Sequence, residues 1–529
     1  MKIVIAEKIA ANAVAVLKQE SDWTVVTHDQ IDGDLPKAIA DADALIVRSA
    51  VDVNAELMRA AKKLRVIGRA GVGVDNIELE AATTAGIAVM NTPGANAVAV
   101  AEHTLALMLS LARQIPRADA GTRAGKWEKK SLQGTELRGK TLGIVGLGKI
   151  GMELARRALA FEMKVIAHDP YVSPAVAREH HVEMADLDGV YAVADYLSLH
   201  VGLTQQTTGM IHEKALAKMK KGVRLINCAR GELIDEAALA AALTSKHVAG
   251  VALDVFHEEP PKNSPLLALE NVIATPHIAG STNEAQDAVG IQIANQIREF
   301  LKRGVIQNAV NMPSVDDQQY QQMRPYIALA EKLGVFLTSV ASGAVQEISI
   351  HYGGRIAEWK TELIRNAAIQ GVLNQHMEER ANVVNAATLA QSAGIRVHES
   401  KREEGPTAGT GEVLTLGLKT ATGKCAVRGG VLRGSSLRLL GVDEIGIEVP
   451  LEGKLIFMRN RDVPGVVGKV GATLGHHKIN IGNLALGRNE GPGEREAMAV
   501  VLVDETVPDN VLQELRKQPE VKEVKWIEF

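Results

Sequence analysis

Short apolar runs separated by amphipathic stretches fill the first 300 residues. "KIVIA", "WTVVTH", "ADALIVRS", "LRVIGRAG" and "IAVMN" read as strands, and "AEKIAANAVAVLKQE" carries helical spacing. Strands alternating with helices predict a parallel α/β architecture. "NAVAVAEHTLALMLSLARQI", residues 96–115, is apolar on nearly every side, which predicts one long buried helix. A second α/β block runs from Lys140 to about Ala279, and a further helical stretch, "TNEAQDAVGIQIANQIREFLKRG", follows it. The polar "NMPSVDD", residues 311–317, reads as a boundary. Beyond it, helices such as "YIALAEKLGVFLTSVAS" mix with strands such as "VQEISIHY", and no catalytic spacing stands out. From Lys454 the order is strand, helix, strand, strand, helix, strand, the ferredoxin-like βαββαβ unit.

The composition narrows this picture without redirecting it. A length of 529 residues fits three or four domains. Aromatics make up only 3%, so the cores must rest on Val, Ile, Leu and Ala. With 59 basic and 63 acidic residues the net charge is −4, which favours neither nucleic acid nor an acidic membrane surface as partner. Two cysteines, Cys228 and Cys425, cannot form a disulfide framework, and a reducing cytoplasm is the expected location. "MKIVIAEKIA" is charged too early for a signal peptide, and no apolar run reaches about 18 residues, so no membrane span is expected. No metal site is expected.

Candidate chemistry begins at "GIVGLGKIG", where Gly146, Gly148 and Gly151 have the G-x-G-x-x-G spacing. The first glycine permits a tight turn, the second lets backbone approach a pyrophosphate, and the third lets helix and strand pack closely. The helix from Ile150, with Lys149 just before it, offers free N–H groups to phosphates. A second strand, "KVIAHD", ends in Asp169, 18 residues beyond Gly151, where a carboxylate would accept from the adenosine ribose. That carboxylate would repel a 2′-phosphate, and no Arg follows in "DPYVS", so the expected cofactor is NAD.

Three later strands each end in a polar group: Arg230 in "VRLINCARG", Asp254 and Glu259 in "VAGVALDVFHEEPP", and His277 in "VIATPHIAGST". Arginine offers a planar fork for a carboxylate. Histidine suits the movement of a hydroxyl proton near neutral pH, and a Glu beside it would hold the ring. Oxidation of an alcohol next to a carboxylate needs these three roles.

"GKTLGIVGLGKIG", "NCARGELIDEAAL", "ALDVFHEEPP" and "TPHIAGST" resemble the D-isomer-specific 2-hydroxyacid dehydrogenases over roughly residues 1–313. The two extra domains, the second similar to ACT domains, resemble those of the long-form branch that oxidises 3-phosphoglycerate to 3-phosphohydroxypyruvate, the first step of serine biosynthesis. The implied fold is two Rossmann-like, doubly wound parallel-sheet domains, an α+β intervening domain and a βαββαβ ACT domain. The implied divisions are 1–96, completed by 284–313, for substrate; 97–283 for NAD; 317–453 for the intervening domain; and 454–529 for the ACT domain.

By the same resemblance His277 is the acid/base, Glu259 its partner and Arg230 the carboxylate anchor. Asp254 faces the nicotinamide carboxamide, and Thr207, Cys228, Ala229, Arg230, His277 and Gly280 line the cofactor site. Arg48, Ser49, Arg69, Gly71, Val72 and Gly73 face the cleft from the substrate side, with Arg48 and Arg69 as candidates for the phosphate. Gly202 in "HVGLT" stands where the family usually has proline, a departure that bears on the rigidity of that loop. Asn460, Asp462 and Asn480 map onto the amino-acid site of ACT domains, which implies an L-serine effector and a homo-oligomer, expected to be a tetramer. Another 2-hydroxy acid as substrate (glyoxylate, hydroxypyruvate or D-lactate type) and a non-catalytic NAD-sensing relative are the alternatives.

Overall fold

A computed structural model describes residues 1–315, 317–375, 380–402, 412–489 and 495–529. Residue 316, within the expected polar boundary, lies outside the described residues. The central apolar runs become strands buried on both faces, while Thr24–Val26 at the edge stays partly exposed. Lys2–Ile5, Ala44–Val47 and Val66–Arg69 form the centre of a five-stranded sheet whose β-bonded pairs are all parallel. In order along the sheet the strands are Thr24–Val26, Lys2–Ile5, Ala44–Val47, Val66–Arg69 and Ala88–Met90. The helix Asn283–Arg303, far along the chain, packs on this sheet and on the first helix, Ala11–Lys18. Its approach is close enough that a Cβ on Gly68 would lie 2.7 Å from Ile293.

A second sheet has seven parallel strands. From the strand Thr141–Val145, one wing runs through Lys164–His168 to Glu183–Met184. The other runs through Tyr196–Leu199, Val223–Asn227 and Val248–Leu253 to Val272–Ala274. The order therefore reverses beside Thr141–Val145, and ligands bind in the crevice beyond the strand ends at such a switch point. The long apolar stretch forms one helix, Ala97–Arg113, as expected; the chain turns at Gln114, which has a left-handed φ of 52°, and a second helix, Ile115–Arg123, follows. The first helix is not wholly buried, since Val98 is exposed.

The C-terminal third adds a mixed six-stranded sheet and an antiparallel four-stranded one. The latter has the βαββαβ order, with the first and third strands, Lys454–Arg461 and Glu496–Val503, in the middle. These sheets bear out the α/β, α+β and ferredoxin-like reading. One continuous apolar core runs from Ile3 and Met90 under Ile293 and Ile297, through the helix Asp317–Val340, to Phe457 and Val500. Phe336 and Phe457 meet edge to face with centroids 5.7 Å apart. The intervening domain thus rests on the substrate-side sheet and the tail rests on the intervening domain.

Candidate active site

The glycine loop divides its three glycines by what surrounds them. A Cβ on Gly146, whose φ is 94°, would stand 2.4 Å from the His200 carbonyl, and one on Gly151 would stand 2.2 Å from the carbonyl of Gly146. Both positions are closed by backbone. Gly148 has nothing within 4 Å of where a Cβ would be. It caps the helix Lys149–Ala160, whose first N–H groups face the same opening. The open glycine at a helix N-terminus is the cradle a pyrophosphate requires, and a Cβ would fill it.

Asp169 follows the strand Lys164–His168 and accepts from two backbone N–H groups, Leu147 at 2.8 Å and Tyr171 at 2.8 Å. The carboxylate thereby ties the second strand's end to the glycine loop. Lys149 does not reach toward the loop; its Nζ donates to the Pro93 carbonyl at 3.1 Å, across to the segment joining the two sheets. Ile150 is half-buried in the first turn of the helix. Thr207 closes its own loop, donating to Gly202 O at 2.7 Å and accepting from the Thr204 N–H at 2.8 Å. Those bonds hold the loop in which glycine replaces proline.

At the end of Val223–Asn227 the buried Asn227 clips the turn Cys228–Arg230. Its Nδ2 donates to Arg230 O at 2.8 Å, and its Oδ1 accepts from the Ala229 N–H at 3.0 Å. Burial pushes the Cys228 thiol up to about 12, so the residue offers backbone and not a thiolate. Arg230 points across to the other sheet, where Nε and Nη2 both lie 2.9 Å from Asp75 Oδ2. Its Nη2 occupies the space over Gly73, 1.7 Å from where a Cβ would sit. Arg69 does the same over Gly71, at 1.4 Å from its Nη1.

Arg69 Nε is buried without a hydrogen-bond partner. Burial, and next the positive charge of Arg230, lower this guanidinium from its ordinary value, with Asp75 and Glu7 opposing. Two arginines over a glycine loop, one with an unsatisfied donor, form a site that wants an anion. Arg48 and exposed Ser49 flank it. Asn76 staples their loop to the glycine loop by donating to Arg48 O at 3.0 Å and Val51 O at 2.7 Å. Val72 O accepts from Asn91 Nδ2 at 2.6 Å.

His277 has a left-handed φ of 52°, which is uncommon for any residue but glycine and marks a position held by its surroundings. What holds it is Asp254. The His277 N–H donates to Asp254 O at 2.8 Å, and the Asp254 carboxylate accepts from Ile278 N at 3.0 Å, Ala279 N at 2.8 Å and Thr275 Oγ1 at 2.6 Å. Burial favours the neutral acid here, but His103, Thr275 and the two amides outweigh it and hold the carboxyl below its usual value. Asp254, expected to face the nicotinamide carboxamide, is fully buried here, with its carboxylate on the histidine loop and 3.4 Å from His103 Nε2.

The ring of His277 gives Nδ1 to Glu259 Oε2 at 2.7 Å, and Glu259 Oε1 accepts from the Phe256 N–H at 3.1 Å. Nε2 is the nitrogen left for a substrate. Gly280 closes the loop beside Asn96, whose Oδ1 is buried without a partner. Asp75, Asn76, Asn91, Asn96, Asn227 and Thr275 were not among the expected residues. Asp75 and Asn76 follow Gly73 in "GVDN", Asn227 precedes Cys228 in "INCARG" and Thr275 precedes His277 in "TPHIAG", whereas Asn91 and Asn96 adjoin no expected site residue.

In the tail, Asn460 is buried with its Nδ2 on Arg461 O at 2.8 Å and its Oδ1 unpartnered. Asp462 lies 3.6 Å from Arg488, and Asn480 donates to Asp504 at 2.7 Å. No group of three or more metal-ligating side chains occurs among the described residues. No helix among them is long and apolar enough to cross a membrane.

Comparison with known proteins agrees with this layout. Residues 105–279 match the NAD-binding domain of the D-isomer-specific 2-hydroxyacid dehydrogenases, 322–443 the D-3-phosphoglycerate dehydrogenase intervening domain, and 454–520 the ACT domain. The chain is 40% identical over 525 residues to D-3-phosphoglycerate dehydrogenase of Methanocaldococcus jannaschii, covering 99% of each chain. It is 36% identical to the Bacillus subtilis enzyme of that name, covering 100% of this chain and 99% of the other. Among solved structures, NAD-bound 3-phosphoglycerate dehydrogenase of Entamoeba histolytica is similar with a TM-score of 0.51 and 30% identity, over 60% of this chain and 99% of that one. A glyoxylate reductase from Paecilomyes thermophila aligns with a TM-score of 0.54 and 34% identity, over 59% and 98%.

Proposed function

The chain belongs to the D-3-phosphoglycerate dehydrogenase family, and we propose that its cleft oxidises the C2 hydroxyl of 3-phospho-D-glycerate with the residues assembled above. The observation that carries this assignment is the pairing of His277 with Glu259 opposite two arginines that lie over Gly71 and Gly73. Arg230 takes the substrate carboxylate, which sets C1 and hence C2 relative to His277. His277 Nε2 accepts the hydroxyl proton, and the Glu259 carboxylate on Nδ1 stabilises the imidazolium that forms. Gly146, Gly148 and Gly151 would hold the NAD pyrophosphate and Asp169 the ribose, and the cofactor would supply the hydride acceptor for C2. Arg69, with help from Arg48, receives the phosphate; the unsatisfied Nε of Arg69 supports this.

The glycine, Asp169 and histidine-loop features would serve any 2-hydroxy acid dehydrogenase, as the similarity to a glyoxylate reductase illustrates. The extra domains and the second arginine favour the phosphorylated acid. NADH formation with a panel of 2-hydroxy acids tests this: 3-phosphoglycerate should be turned over best. Arg69→Ala should raise its KM far more than that of an unphosphorylated acid. Equal effects on both would return the enzyme to the broader class. His277→Ala should bind NAD and lose turnover by about 10²–10⁴-fold, the usual worth of an acid/base.

An ACT domain indicates a small-molecule effector. L-Serine at Asn460, Asp462 and Asn480 is the proposed one, supported by the unpartnered amide oxygen of Asn460. A homo-oligomer, proposed as a tetramer, is supported by exposed apolar groups on the nucleotide-binding side. Trp127 is 84% exposed, and Val98 and Ile115 lie bare on the two helices that precede it. Calorimetric serine titration of the intact enzyme and of Asp462→Ala tests the first point. Heat that survives the substitution would place serine elsewhere.

A further inference from the structure

We infer that Asp75 is the positioning residue for the substrate-carboxylate arginine, acting from the opposite domain. The inference rests on the reading of Arg230 as that anchor. A guanidinium has five N–H groups, one on Nε and two on each terminal nitrogen. In Arg230 the Nε hydrogen goes to Asp75 Oδ2 at 2.9 Å, with Nη2 also 2.9 Å from that oxygen in the ion pair, and one hydrogen on Nη1 goes to the carbonyl of Ala229 at 2.6 Å. Each terminal nitrogen keeps at least one hydrogen beyond these contacts, and two such hydrogens, one from each nitrogen, are what meets a carboxylate side by side. Asp75 and Ala229 between them leave the receiving edge free and fix the plane in which it lies.

The bond spans the cleft. Asp75 lies in the loop after the strand Val66–Arg69, while Arg230 ends the strand Val223–Asn227 of the other sheet, 155 residues away. The Asp75 loop is itself held, since its neighbour Asn76 staples it to Arg48 and Val51. The Asp75 side chain is 59% exposed and that of Arg230 25%. An ion pair so placed contributes little to folding. Its value lies in orienting a long, rotatable side chain before the substrate arrives, which removes an ordering cost from binding.

The test uses the full-length enzyme with Asp75→Ala, Asp75→Glu and Arg230→Ala. Two competitive ligands separate the ends of the substrate: tartronate has carboxylates and no phosphate, and glycerol 3-phosphate has the reverse. Asp75→Ala should weaken tartronate about tenfold, the size of one charge-assisted contact at a partly exposed site, and leave glycerol 3-phosphate and NAD binding unmoved. The KM for 3-phosphoglycerate should rise more than kcat falls, and Asp75→Glu should recover part of the loss. Equal weakening of both ligands would make Asp75 merely structural. Unchanged or tighter tartronate binding would overturn the inference, the latter by showing that Asp75 competes with the substrate. If Arg230→Ala also leaves tartronate unaffected, the anchor reading has failed; if only Asp75→Ala does, this inference alone has.

Discussion

Gly148 and Gly151 sit three residues apart in one loop, and the same substitution should do opposite things to them. At Gly148 the backbone has φ −73° and ψ −161°, open to any residue, and nothing lies within 4 Å of a new Cβ. Gly148→Ala should therefore fold as the parent does. Its methyl would stand in the mouth of the cradle and push a pyrophosphate off the helix N-terminus. Losing one charge-assisted N–H contact at about 1.5–3 kcal/mol weakens NAD by roughly ten- to a few hundred-fold. At Gly151 the new Cβ would meet the Gly146 carbonyl at 2.2 Å, and Gly146 cannot retreat because His200 lies behind it. Overpacking of this kind costs about 1–3 kcal/mol, offset in part by the roughly 1 kcal/mol that alanine gains over glycine in a helix. Gly151→Ala should thus lower the unfolding midpoint of the apo-enzyme by a few degrees. Fluorescence titration with NADH and thermal unfolding without cofactor separate the two effects. NADH binding by Gly148→Ala at parental affinity would show that the open glycine is not where the pyrophosphate sits.

Asp169→Ala should narrow the preference for NAD over NADP, measured as the ratio of kcat/KM values, and should weaken both because the carboxylate also ties Leu147 to its strand. A parent that uses both cofactors equally would refute the role. His200 is half-buried, with Nε2 2.8 Å from Ser198 Oγ and Nδ1 buried without a partner, and burial of the ring pushes it down from 6.5 to about 4. The unfolded chain binds the proton first, so stability is lost as pH falls from about 6.5 to about 4, up to about 3 kcal/mol in all. Urea unfolding at pH 7 and 4.5 should therefore show a smaller acid loss for His200→Gln than for the parent, and an equal loss would remove His200 as the cause. Asn382→Ala should speed hydrogen exchange at residues 84–87, because Asn382 Nδ2 donates to the Gly86 carbonyl at 2.8 Å across two domains; unchanged exchange there would mean the contact carries no local stability.

Legibility in the sequence followed the range of the interaction. The loop Gly146–Gly151 was readable because its demands are local: a positive φ, a close approach and a helix start all fall within six residues. Strand ends were readable because apolar runs stop where polar work begins, which is how Arg230, Glu259 and His277 stood out. The turn at Gln114 was not, since a left-handed residue that is not glycine leaves no compositional mark. Asp254 was legible as a strand-end carboxylate, but its hydrogen-bond partners were not. Burial and the return of the chain at 275–279 turn a strand-end carboxylate into a loop anchor, and the partners lie 21 to 25 residues downstream. Asp75 and Asn382 have partners 155 and 296 residues away, and nothing local announces them.

Those two distant pairs lie at opposite ends of one short element, and that arrangement links the tail to the cleft. The helix Leu79–Thr84 follows directly on the loop of Asp75 and Asn76. At its other end Asn382 grips Gly86, Asn385 reaches Thr84 O at 3.4 Å, and Asn311 bonds Thr83 and Ile87. The intervening-domain side of the grip is equally fixed. Asn382 Oδ1 accepts from Val384 N, Asn366 donates to Val383 O, and Asn374 exchanges two bonds with Ala381. A helix of six residues is about 9 Å long and does not stretch. On the proposed role of Asp75, these contacts offer a route by which a shift of the intervening domain would reach the Asp75 loop and, through Asp75, Arg230. Misplacing a reacting group by about 1 Å can cost 10²-fold in rate, while a typical allosteric coupling supplies about 1–3 kcal/mol. The two magnitudes match, so an effector in the tail need not close or open the cleft to control it. On the proposed roles of Arg230 and His277, displacing the Asp75 loop by about an ångström would be enough, because it would alter the distance between the substrate C2 and His277.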